Sequence, residues 1–189
     1  MIHEVIVTTI NNDGDVHIAP MGIKFIQCEN QECIQISPFK PSQTLDNLLN
    51  TKKATVNFID DVKVFAGIVT GRKKDWDLSP HSENNVAHLS GTNSYMNLEV
   101  SSHIEDEIRP KIICNILSTQ NLKPFMGFNR AQFSVIELAV LSTRLGMIDD
   151  GKIKREYEYL KIGMDKTGGE REKLAWSWIE DKIEDYFKR

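Results

Sequence analysis

The 189-residue sequence predicts a mainly β protein with α elements: a small antiparallel β-barrel followed by a C-terminal helical segment. Two observations lead there. Through the first two thirds of the chain, short β-branched and apolar runs alternate with tight-turn signals. After Pro124 the apolar spacing changes to a helical period. The barrel is accordingly assigned to residues 1–123 and the helical subdomain to residues 124–189.

Taken in order, IHEVIVTTI (2–10) and VHIAPMGIKFIQC (16–28) read as strands. They flank Asn12-Asp13-Gly14-Asp15, and Asp-Gly between two such runs is a strong hairpin signal. Pro20 has no N–H to give a ladder, so the second strand is expected to be an edge, bulged or interrupted there. Gly22 then admits a close neighbour, either an ordinary bulge or a ligand bonded to the main chain. Further strands are expected from Cys33 to Ser37, from Ala54 to Phe58, over 95–105 and over 111–118. Val62 to Gly71 fits a strand or a short helix, because its periodicity does not decide. Residues 75–93 are polar and form a long loop, a length usually reserved for functional or disordered segments.

In the tail, Phe133, Ile136 and Val140 share one helix face and Val135, Leu138 and Leu145 another, which predicts a largely buried helix with Asn129 as N-cap. An amphipathic helix from Asp149 to Gly163 follows, carrying Ile153, Tyr157 and Leu160. Gly168-Gly169 breaks the chain. A last helix over 170–187 is expected to bury Leu174, Trp178, Ile179, Ile183 and Phe187.

The stretch PFKPSQTLDNLLNTKKATVNF (38–58) is chemically the most suggestive. An extended segment ends at Lys40, breaks at Pro41, and opens a short helix for which Ser42 is a good N-cap. Free N–H groups, the positive end of a helix dipole and an adjacent lysine suit a phosphate. The same residues also fit a capped surface helix. Arg72-Lys73-Lys74 is a second basic cluster, of the kind that is usually only solvated.

Twenty-three basic residues against 27 acidic ones give a net charge of −4, which argues against a general nucleic-acid binder. The three cysteines, Cys28, Cys33 and Cys114, lack metal-ligand spacing and are expected to be reduced, with a Cys28–Cys33 disulfide as the minor reading. The five histidines are too scattered for a metal site, and Ser42 has no His–Asp partners for a nucleophilic triad. No apolar run reaches the roughly 20 residues of a membrane span, and no signal peptide is evident. A cytoplasmic location is expected.

Two segments, IVTT…DGDVHIAPMGIKF and SPFKPSQTLDNLLNTKKATVNFIDD, together resemble the flavin-reductase-like FMN-binding split barrels. The tail GFNRAQFSVIELAVLSTRL is similar to the C-terminal part of a functionally uncharacterised family within that superfamily, found chiefly in archaea and C1-metabolising bacteria. His17 departs from the pattern, which has Asn there. The resemblance implies a homodimer with two FMN sites at its interface; charge and the lack of a long apolar run already argue for no nucleic-acid and no membrane partner. By that resemblance Lys40, Ser42 and Thr44 hold the phosphate, and Ser37 and Asn47 add contacts to the ribityl or phosphate end. Met21, Gly22 and Ile23 present main-chain groups to the pyrimidine edge. Asn57 is structural. His103 and Arg130 are candidates to reach the site from the partner chain, and Trp76 in the long loop is a candidate shield for the ring. The activity implied is that of an FMN-dependent oxidoreductase of unknown substrate, with C1 and methanopterin metabolism as the family's company. A passive FMN-binding protein and a structural dimerisation module are the alternatives.

Overall fold

The computed structural model describes residues 1–79 and 86–188. These form two compact units, one of residues 1–59 with 77–124 and one of residues 60–76 with 125–189. Among the described residues the first unit contains six strands: β1 (His3–Ile10), β2 (Val16–Gln27), β3 (Glu32–Ile36), β4 (Lys53–Phe58), β5 (Ser94–Ile104) and β6 (Lys111–Asn121). All neighbours are antiparallel, and the order β1-β2-β3-β6-β5-β4 closes on itself through β1 and β4. Helix α1 (Gln43–Thr51) lies between β3 and β4.

β1 shows why the sheet closes. Its residues Val5 to Thr9 are all buried, so the run is continuously apolar or hydroxylated rather than alternating. Val5 and Val7 join Ile23, Ile34, Ile36, Val56 and Ile112 in one core cluster. Leu45 and Leu48 of α1 enter the same cluster, each fixed there by roughly 1.5–3 kcal/mol of apolar burial. The alternate residues Ile6 and Thr8 face the other side, where segment 86–89 covers them. Thr8 Oγ1 donates to Ala87 O at 2.7 Å and Thr55 Oγ1 to Val86 O at 2.8 Å. Asn57 is fully buried; its Oδ1 accepts the Leu89 N–H at 2.7 Å and its Nδ2 donates to Ile6 O and Thr55 O at 3.2 Å. The structural role expected for Asn57 holds.

Pro20 is reconciled with the barrel by the incompleteness of β3. β2 pairs with β1 without a break from Val16 to Ile23, Pro20 lying opposite Ile6. β3 pairs with β2 only from Ile23 onward. Between Val16 and Gly22, β2 is thus an edge within an otherwise closed barrel, where a residue without N–H is tolerated. Gly22 admits a neighbour from within the chain: an added Cβ would lie 2.8 Å from Ile2 Cγ2.

Among the described residues the second unit holds four helices: α2 (Lys63–Thr70), α3 (Arg130–Ser142), α4 (Asp150–Thr167) and α5 (Glu170–Phe187). α2 resolves the ambiguous stretch 62–71 as helix, ending at Gly71 with φ 72°. Asn129 caps α3 as expected, its Oδ1 accepting the N–H groups of Ala131 and Gln132. Gly163 lets α4 approach α3; an added Cβ would sit 2.7 Å from Ser134 Oγ. Glu172, nearly buried, accepts the Gly169 N–H and closes the start of α5.

Three expectations are corrected. Cys28 and Cys33 form a disulfide, because the turn Cys28 N–H to Gln31 O brings their Cα atoms to 6.0 Å, within bridging range. Cys114 alone is a free thiol among the described residues, and burial pushes its pKa up to about 12. α5 buries Ala175, Trp176, Ile179 and Ile183, a continuous helical stripe, and leaves Leu174 46% exposed and Phe187 at the rim. Phe133 on α3 is likewise 55% exposed. Trp76 packs against Gly67 of α2 with the Lys73 ammonium 4.4 Å above its ring, and Arg72 pairs with Asp181, while the residues of the cluster 72–74 are exposed, in keeping with a solvated run. Part of the loop 75–93, residues 80–85, lies outside the described residues. No helix among the described residues is long and apolar enough to cross a membrane.

The Asn57 arrangement predicts a stability effect. Asn57→Ala removes the acceptor of a buried N–H and is expected to cost about 2–3 kcal/mol. The shift of the chemical-denaturation midpoint measures it; an unchanged midpoint would show that water or a rearrangement replaces the amide.

Candidate functional site

The start of α1 is built by its own short-range chemistry. Ser42 has extended backbone angles, φ −159° and ψ 148°, and its Oγ accepts the Leu45 N–H at 3.3 Å, while its carbonyl accepts the Asp46 N–H. Helix geometry leaves the N–H groups of Gln43 and Thr44 without intrahelical acceptors, at the positive end of the dipole. Lys40 and Pro41, joined by a cis peptide bond, lead into this cap.

The residues before the cap are clasped by the loop between β5 and β6. Lys40 N–H donates to Ile108 O at 2.9 Å. Arg109 directs Nε and Nη2 at Ser37 O, at 3.3 and 3.1 Å, and its guanidinium lies 4.5 Å from the centre of the Phe39 ring. Asp106 holds that loop: the N–H groups of Arg109 and Ile108 bond its Oδ1, and chiefly for that reason its carboxyl titrates below the ordinary range. Lys40 Nζ pairs with Glu105 Oε2 at 3.2 Å, and His103 Nε2 lies 3.4 Å from the other oxygen of Glu105.

Four expected site residues thus sit together around one helix start: Ser37, Lys40, Ser42 and Thr44. They differ in what they expose. Lys40 keeps about half its side chain in solvent, at 48%, whereas Thr44 is 1% exposed. Asn47 is also buried and donates through Nδ2 to Thr9 Oγ1 at 3.0 Å, which ties α1 to β1. Thr9 lies opposite His17, whose pKa is lowered by burial. Met21, Gly22 and Ile23 lie on β2 where the edge region meets the first β3 pair, and the Ile23 side chain is wholly in the core. His103 reaches the Lys40 end of its own chain through Glu105. Arg130 opens α3 in the second unit.

Sequence reasoning missed Arg109 and Glu105. Both lie in IEDEIRP (104–110), a charged turn indistinguishable by composition from any solvated loop; only the β5–β6 hairpin carries it to Ser37 and Lys40. The assembled donors, two cations, the Ser42 hydroxyl and free helix N–H groups, match a phosphate monoester in charge and valence. Three carboxylates are nearby: Glu105, paired with Lys40 and 65% exposed, Asp106 within the β5–β6 loop, and Asp46 in the first turn of α1. Among the described residues no group of three His, Cys, Asp or Glu side chains could hold a metal ion.

A six-stranded antiparallel barrel with a capped helix between its third and fourth strands and a half-open second strand defines the split-barrel fold. The chain belongs to the family described as protein of unknown function (DUF447): residues 3–123 match its N-terminal domain and residues 129–181 its C-terminal domain. Among solved structures it is similar to an FMN-bound protein of that family from Methanosarcina mazei, with TM-score 0.77 and 20% identity over 96% of this chain and 94% of that one. It is also similar to the styrene monooxygenase flavin reductase of Pseudomonas putida S12, with TM-score 0.54 and 16% identity over 64% and 81% of the two chains. Flavoredoxin from Methanosarcina acetivorans gives TM-score 0.53 and 12% identity over 67% and 72%. At these identities the likeness establishes the fold.

The cap geometry makes its own prediction. Ser42→Ala is expected to cost about 1 kcal/mol of stability and Ser42→Gly only a few tenths. Equal losses in the two variants, read from denaturant midpoints, would mean that the hydroxyl is not the cap.

Proposed function

We propose that this chain binds FMN and works as an oxidoreductase resembling the flavin reductases, with the FMN phosphate on the start of α1. The observation that carries the reading is the nearness of two cations to a capped helix start in a split barrel: Lys40 stands two residues before the Ser42 cap of α1, and Arg109 bonds Ser37 O three residues before Lys40. In this reading Lys40 leaves Glu105 for the phosphate, a small cost because an exposed ion pair contributes at most about 1 kcal/mol. Arg109 and Ser37 bound the approach, and Thr44 and Asn47 act from beneath by fixing the helix. The free edge of β2 from Val16 to Gly22 offers main-chain groups to the flavin ring beside Met21. A second copy of the chain completes each site and covers that edge, making a homodimer. Bound FMN supplies the electron-transfer chemistry, and the residues of the chain bind and orient it.

Releasing the ligand from freshly purified protein and weighing it tests the cofactor: FMN mass is expected, and FAD or no flavin overturns the reading. Charge-assisted bonds to phosphate contribute roughly 1.5–3 kcal/mol each. Lys40→Ala and Arg109→Ala are therefore each expected to weaken FMN binding about ten- to a hundredfold, read by flavin fluorescence titration. Thr44→Val, at a buried position, is expected to weaken it less. Parental affinity in both cation variants places the phosphate elsewhere. Anaerobic reduction of the bound flavin by a nicotinamide cofactor distinguishes the oxidoreductase from a passive binder.

A further inference from the structure

Between α4 and α5 the second unit holds a cavity of about 390 Å³, within the range of small-molecule sites. Its walls are mainly apolar: Ile153 of α4 and Ile183 of α5 are buried, and Phe187 stands at the rim. The charges around it are unevenly satisfied. Both lysines are engaged, since Lys188 Nζ bonds Glu184 Oε2 at 2.9 Å and Lys154 Nζ lies 4.8 Å over the Phe187 ring. Glu158 and Glu180 also line the cavity and have no ion-pair partner among the described residues. Tyr157 donates its hydroxyl to Glu180 Oε1, which fixes that carboxylate and leaves Oε2 without a hydrogen bond among the described residues. Burial first, and then that bond, push the Tyr157 pKa up, so the hydroxyl stays a neutral donor. The charge of Glu158 adds to the shift, which puts a second carboxylate within electrostatic reach of the same hydroxyl. Lys161 reaches only the Tyr157 ring, at 5.7 Å.

We infer that this cavity binds a primary organic amine, with the ammonium on Glu180 and Glu158 and an alkyl or aryl body on Ile153, Ile183 and Phe187. The charge balance selects that class. An ammonium brings the N–H donors that a carboxylate accepts, at charge-assisted strength. An anion would meet two uncovered carboxylates and two lysines already engaged. A neutral apolar molecule would take the carboxylates out of water and give them no partner. A bare metal ion lacks a ligand set, because no group of three His, Cys, Asp or Glu side chains among the described residues could hold one. The inference rests on the second unit alone and holds with or without bound flavin.

Calorimetric titration of the full chain with phenethylamine and with hexylamine tests it. Saturable binding of at least one of these amines is expected. Phenethyl alcohol and hydrocinnamate, of similar shape without the positive charge, are expected not to bind. Glu180→Gln keeps an oxygen for the Tyr157 hydroxyl but removes the charge, and is expected to weaken amine binding about ten- to a hundredfold. Glu158→Gln is expected to weaken it in the same direction and decides the matter if the Glu180 variant does not fold. Glu170→Gln removes an exposed acid at the other end of α5 and is expected to leave the affinity unchanged, which separates a local site from general surface charge. Absence of saturable binding by both amines, equal binding of phenethyl alcohol, an equal loss in Glu170→Gln, or parental affinity in both cavity variants overturns the inference.

Discussion

The Asn57 side chain is a buried polar tie of the first unit. It joins three segments distant in sequence: β1 through Ile6 O, β4 through Thr55 O, and the returning chain through the Leu89 N–H. All of these groups are buried, where an unmet N–H or C=O is far more costly than in water. Two neighbouring threonines, Thr8 and Thr55, bond the carbonyls of Ala87 and Val86 and extend the same seam. β1 can close the barrel against β4 because the outer side of that closure is sealed by hydrogen bonds as well as by apolar packing.

The candidate site draws on this rigidity. α1 is anchored beneath by Leu45 and Leu48 in the barrel core and by Asn47 on Thr9, so its first turn cannot drift. Above it, the β5–β6 loop supplies mobile charge on long side chains. A fixed set of backbone donors with adjustable cations around it suits the capture of a doubly charged group, since the rigid part sets position and the flexible part follows the ligand.

The barrel was legible because its strands are punctuated by turn chemistry and its core by β-branched runs. Asp13-Gly14 for the first hairpin, Ser42 for the α1 cap and Asn129 for α3 are local signals with local causes, and each stands where the residues place it. The failures have a common origin in tertiary context. α5 offers Trp176 and Trp178 two residues apart, and sequence alone does not say which of two adjoining stripes faces inward. α2 sits inside the barrel's stretch of sequence yet groups with the tail helices, which no local period reveals. Arg109 gained its place through strand register, a property of pairs of segments rather than of any one.

Pro20 has a consequence for the lifetime of the protein at high concentration. A barrel whose second strand lacks a β3 partner over Val16 to Gly22 presents, on that one side, a short template on which a foreign strand could grow. Pro20 stands in the middle of that template and lacks the N–H that a continuous ladder would need at its position. Gly22, hemmed in by Ile2, ends it two residues later. The opening is therefore receptive to a ligand or a shaped surface that needs only a few main-chain contacts, and resistant to the indefinite strand addition that leads to fibrils.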